Sequence, residues 1–116
     1  MRNLFKIFCC AGLVAGVASA AQVQGVLMDK MCSMKAAKEG QSAAMGHELK
    51  CALMPPCQKS GYGVFTADNK FLAFDDAGNA QALKALQGSK KKDDLKVTVN
   101  GNVQGEMIKV TSLQLQ

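Results

Sequence analysis

The chain has 116 residues, a formal net charge of +5, an aromatic content of 5% and no tryptophan. That length makes one domain with a modest core and excludes a large multidomain enzyme. With Arg2 as its only arginine, the chain also lacks the guanidinium and stacking contacts of a nucleic-acid reader.

Taken in order, the chain opens like a secretory signal peptide over residues 1–20. Arg2 and Lys6 make a basic start, Ile7 to Val17 an apolar run, and Ala18-Ser19-Ala20 a small-residue cleavage site. A membrane span needs about 20 apolar residues, so this run is too short to cross, and no later segment approaches that length. Neither Cys9 nor Cys10 follows a glycine or alanine, so no lipid anchor is expected. The protein is therefore expected to be periplasmic or secreted, with no membrane attachment after cleavage. Its mature part would be a single domain over residues 21–116. Loss of Arg2 and Lys6 leaves twelve lysines against nine acidic residues, a net charge of +3. The run Lys90-Lys91-Lys92 is followed by Asp93-Asp94, which cancels its field beyond a Debye length of about 10 Å. No nucleic-acid partner is expected.

Val23 to Met28 forms a β-rich run bounded by Asp29, the first predicted strand. A stretch rich in cysteine and methionine interrupts, and then "GYGVFTADNKFLAFDDAG" predicts a hairpin. Its strands are Tyr62 to Ala67 and Lys70 to Asp75, turning at Asp68 and Asn69. Phe71 to Phe74 are apolar at both parities, which predicts a strand covered on both faces. From Asn79 as N-cap, "AQALKALQ" sets Ala82, Leu83 and Leu86 on one helical face, and Gly88 stops the helix. Leu95, Val97, Val99 and Val103 alternate with polar residues in a long fourth strand, and Gly101 and Gly105 allow a bend and a turn. Ile108 and Val110 lie on one parity but Leu113 and Leu115 on the other, which predicts a bulge near Ser112. This order predicts a mainly β fold with short helices. It would be a five-stranded OB-like Greek-key barrel with a helical Cys/His insertion after its first strand. An α+β sheet with helices on one face is the alternative.

The insertion carries the chemistry. Cys32, His47, Cys51 and Cys57 fall between Lys30 and Cys57, with Met31, Met34, Met45 and Met54 among them and Met28 just before. If "HELKCALM" is helical, His47 and Cys51 share a face, and Pro55-Pro56 end the helix so that Cys57 folds back. Cys32 arrives from the first strand, and the four side chains could form a Cys3His site for zinc. Thioethers beside thiols and an imidazole would instead favour copper as Cu(I), unless the methionines simply fill gaps in the core. Outside the cytoplasm thiols tend to pair, so a disulfide between two of Cys32, Cys51 and Cys57 competes with both ions. Closing a loop of about 15 to 30 residues through Cys32 would add roughly 3 to 4 kcal/mol. The odd thiol left over would be free to make a disulfide-linked dimer.

The segments "GVLMDKMCS", "HELKCALMPPCQKSGYGVFTADNKFLAFD" and "KKDDLKVTVNGNVQGEMIKVTSL" resemble a family of short exported bacterial proteins of unknown function. The shared pattern is Asp-x-x-Cys followed by His-x3-Cys-x5-Cys, here Asp29, Cys32, His47, Cys51 and Cys57. The resemblance implies an exported location and supplies no reaction. No Gly-x-Ser-x-Gly elbow, phosphate loop, His-Glu-x-x-His or Cys-x-x-Cys occurs, so a non-enzymatic role is expected. The sequence thus predicts an exported binding or accessory domain, with a protein partner, organised by a disulfide. A copper- or zinc-binding protein is the first alternative and a thiol redox protein the second.

Overall fold

The computed structural model describes residues 19–116. The expected signal peptide lies outside these residues except for Ser19 and Ala20, which pair with Val103 and Asn102 at the start of the first strand. Five strands, β1 (Ser19–Asp29), β2 (Tyr62–Phe65), β3 (Phe71–Phe74), β4 (Lys96–Gln104) and β5 (Met107–Leu115), close into a barrel. Their order is β1-β2-β3-β5-β4, and β3 with β5 is the parallel pair while the others are antiparallel. This is the predicted OB-like Greek-key arrangement, and the α+β sheet is set aside. Four short helices fill the insertion between β1 and β2: α1 (Lys30–Glu39), α2 (Gln41–Met45), α3 (Leu49–Ala52) and α4 (Pro55–Ser60). A fifth, α5 (Asp76–Gln87), joins β3 to β4 and packs on β5 and β2.

Alternation along the strands divides the core in two. Leu27, Val64, Leu95, Val97, Val99 and Ile108 fill the barrel interior with Leu86 of α5. Val26, Met28 and Phe65 face the other way and pack against Ala36 of α1 and Ala44 of α2. Side chains of a strand alternate between faces, so β1 and β2 are apolar at both parities only because the insertion covers their outer side. The sequence placed that double coverage on β3. There Phe71, Leu72 and Ala73 are only half-buried: α1 reaches β3, and Phe71 packs on the edge of the outer cluster, without sealing it from solvent.

The ends of the elements have local causes. Gly40, at φ 93°, stops α1, and Gly61, at φ 89°, stops α4, both in the left-handed region that glycine enters without cost. Pro55 and Pro56 do more than end a helix: they open α4, where a missing N–H leaves no unmet bond. Asp75, and not Asn79, caps α5. Its Oδ1 accepts from Gly78 N at 3.0 Å and from Val110 N at 3.1 Å, tying the helix to β5. Asn79 instead accepts from Tyr62 N at 2.7 Å through its own Oδ1. The predicted bulge is present: Asn100 pairs with Ser112 and Gly101 with Val110, leaving Thr111 as the extra residue.

At that bulge a Cβ on Gly101 would run into the Lys109 carbonyl. Gly101→Ala is therefore expected to cost about 1 to 3 kcal/mol through overpacking, read as a lower urea midpoint at unchanged slope.

Candidate metal site

Asp29 ends β1, and its side chain turns back to cap α1. Oδ2 accepts from Cys32 N at 2.9 Å, so the last strand residue and the first helical turn are locked together. The same turn is clamped to the far end of α4. Lys30 N donates to Gly61 O at 2.8 Å, Met31 N to Ser60 Oγ at 3.4 Å, and Ser60 Oγ to Cys57 O at 2.8 Å. Cys32 on α1 and Cys57 on α4 are thereby brought face to face beside the Asp29 carboxylate. The ligand atoms of Asp29, Cys32 and Cys57 all lie within 4.8 Å of one another.

His47 approaches this group from the Asp29 side, its Nε2 3.0 Å from Asp29 Oδ1. The approach is close but poorly directed. Asp29 Oδ1 and both ring nitrogens of His47 are buried without a hydrogen bond of good geometry. Asp29 is fully buried and His47 is 8% exposed. Buried polar atoms in that condition each cost about 1 to 3 kcal/mol.

The predicted helix through "HELKCALM" does not form as one piece. Gly46 closes α2, His47 lies outside any regular element, Glu48 is extended, and α3 begins only at Leu49. A fold in the chain, and not helical spacing, therefore sets His47 relative to Cys51. Cys51 lies outside the tight group. It is half-exposed and lines, with Cys32 and His47, a cleft of about 380 Å³. Of the four residues marked in the sequence, the structure groups Cys32 and Cys57, sets His47 against their carboxylate partner and leaves Cys51 on the cleft wall. The residue that sequence reasoning missed is Asp29. In the sequence it reads as the boundary of the first strand, whereas the structure makes it the cap of α1 as well.

The three cysteines among the described residues, Cys32, Cys51 and Cys57, are free thiols. The structure shows none of the expected disulfide pairings among them, and Cys32 and Cys57 are the two whose sulfurs share the buried group. The methionines do not fill core gaps as a set. Met28 is buried, whereas Met31, Met34, Met45 and Met54 are each at least 39% exposed.

The electrostatics follow from burial. Burial alone would raise the Asp29 carboxyl, but the close imidazole of His47 and the N–H of Cys32 outweigh it and hold Asp29 below its ordinary value. One negative charge then discourages a second. Burial first, and then the Asp29 charge, push the Cys32 thiol up to about 12 and raise that of Cys57. A bound dication would reverse the preference and stabilise both thiolates. Tyr62, whose hydroxyl donates to Ala52 O at 2.7 Å, is also pushed up to about 12, by burial and then by Asp29.

Comparison with known protein families, with curated proteins and with solved structures finds no match to this chain.

These shifts have opposite signs in stability. Asp29 is lowered in the fold, so its contribution is present above an unfolded value of about 3.9 and is lost as pH falls through the folded one. Cys32, Cys57 and Tyr62 are raised, so theirs is present below unfolded values of about 8.5 to 10 and is lost as pH climbs through the raised folded values, about 12 for Cys32 and Tyr62. Reduced, metal-free protein should therefore lose urea resistance steadily above about pH 9. Tyr62→Phe should cost about 1 to 3 kcal/mol at neutral pH, since it strands the Ala52 carbonyl, and should flatten part of that alkaline slope.

Proposed function

We propose that this chain is a small metal-binding domain that holds Zn(II) through Asp29, Cys32, Cys57 and His47. The observation that carries this reading is the buried convergence of a carboxylate and two thiols within 4.8 Å, with an imidazole whose nitrogens lack directed partners. Coordination would satisfy those atoms together. Two sulfurs, one nitrogen and one carboxylate oxygen suit zinc, whereas Cu(I) prefers soft donors and gains little from the carboxylate. Binding would displace the protons of both thiols, which makes uptake steeply dependent on pH.

The ligands come from the end of β1, from α1, from the link between α2 and α3, and from α4. An ion among them would pin the insertion to the barrel, and any ligand of the folded state raises stability by mass action. Reduced protein titrated with Co(II), as a coloured stand-in for zinc, should develop thiolate-to-metal absorption that saturates at one equivalent and is bleached by Zn(II). Cys57→Ser should weaken binding by about 100-fold or more, and Asp29→Asn by about 10-fold or more, given the usual cost of losing a ligand or its support. Saturation that ignores Cys57→Ser would refute the site. Retention of Cu(I), but not Zn(II), by Asp29→Asn would assign copper instead.

A second reading rests on the same pair of sulfurs: an exported binding or accessory domain stapled by a Cys32–Cys57 disulfide. The proximity of the two thiols favours this pairing over the two that use Cys51. Intact mass of protein taken from its own compartment separates the two readings, since the staple removes two hydrogens and leaves one alkylatable thiol. A thiol redox enzyme has the least support, because thiols raised by burial are poor nucleophiles near neutral pH.

A further inference from the structure

We propose that the site is built for exchange, with Cys51 as the ligand that passes Zn(II) between the buried donors and a small thiol- or carboxylate-bearing chelate seated in the cleft. This rests on the zinc reading above and concerns how the ion comes and goes. Asp29 and Cys57 form the buried floor of the site. Cys32 and His47 belong both to the site and to the wall of the cleft, whose other walls include Cys51 and Glu48. The site is therefore reached from the cleft, on the side where Cys32 is half-buried. The buried His47 nitrogens without directed bonds border the same cleft, marking where the ion passes from wall to floor.

Cys51 is positioned to act on the ion and not merely near it. Its side chain lines the same cleft as Cys32 and His47, two of the proposed ligands. Its short helix is held at both ends: Leu49 N donates to Lys92 O at 2.7 Å, and the Tyr62 hydroxyl fixes the Ala52 carbonyl at 2.7 Å. A donor fixed beside a coordination site acts as an intramolecular competitor at an effective concentration near the millimolar range. Transfer proceeds by ligand substitution with no change of oxidation state. Zn(II) bound by the chelate gains a bond to the Cys51 sulfur, which gives its proton to the buffer, as one chelate bond breaks. The Cys32 and Cys57 sulfurs, losing their protons, and the His47 nitrogen then replace the remaining chelate donors, and the Asp29 carboxylate displaces Cys51, which takes a proton back. Release runs the same steps in reverse.

The test uses reduced full-length protein, its Cys51→Ala and Cys51→Ser variants and Cys57→Ser, each checked for native circular dichroism. Zn(II) affinity is measured at equilibrium, and transfer is timed by stopped flow, from loaded protein to the carboxylate-bearing fluorescent chelator fura-2. Both Cys51 variants should keep affinity within about 3-fold of the parent while transferring zinc about 10-fold more slowly or worse, the loss expected when an intramolecular donor is removed. Unchanged transfer rates in both variants would overturn the role of Cys51 and leave the zinc site standing. A fall in affinity as large as that of Cys57→Ser would overturn it too, by making Cys51 a resident ligand. Failure of the parent to bind Zn(II) at all would refute the zinc reading itself, and this inference with it.

Discussion

A carboxylate moved from water into a protein interior is unstable unless its charge is met there, and Asp29 is fully buried. Its Oδ2 is met by the N–H of Cys32, which makes it the cap of α1. Its Oδ1 is approached by His47, which draws the link between α2 and α3 inward. Burial, and after it the same charge, keeps the thiols of Cys32 and Cys57 protonated. One side chain thus joins strand to helix, orders the insertion and sets the chemistry of the sulfurs around it. Most of the candidate site is the surroundings that Asp29 requires.

The arrangement also accounts for the shape of the insertion. Four helices of four to ten residues are too short to be stable on propensity alone. They persist because they cover Val26, Met28 and Phe65 on the outer wall of the barrel, and because α1 and α4 are stitched together through Ser60 and Gly61. The polar cluster therefore lies against an apolar one, with Met28 beside Asp29 in the chain and Ala36 one helical turn beyond Cys32. Water is excluded from one side of the site, and a cleft opens on the other.

The barrel was legible because its signals are local and periodic. The alternation of Leu95, Val97 and Val99, and the parity change between Val110 and Leu113, are properties of neighbouring residues, and the bulge fell where that change predicts it. The identities of Cys32, His47 and Cys57 were legible as residue types that share a chemistry. Their geometry was not. Asp29 looked like the polar end of a strand, and only the fold of the next thirty residues buries it. His47 and Cys51 stood at helical spacing, yet Gly46 and the extended Glu48 put them on separate elements, a break that spacing cannot reveal. Asn79 lost the capping role to Asp75 because Asp75 also serves β5, a partner 35 residues away.

The two-sided burial of β1 and β2 bears on where this domain could be cut. An insertion between two strands is ordinarily a detachable part, and a barrel of this kind would be expected to close without it. Here the barrel's own wall carries Val26, Met28 and Phe65 on its outside, and stripping the helices away would leave them as an exposed apolar strip along paired strands. Such strips drive aggregation. The residues that bear the chemistry are thus not a cassette that can be lifted out or transplanted: scaffold and site form one cooperative unit, and a shortened chain that kept only the five strands would lose solubility before it lost its sheet.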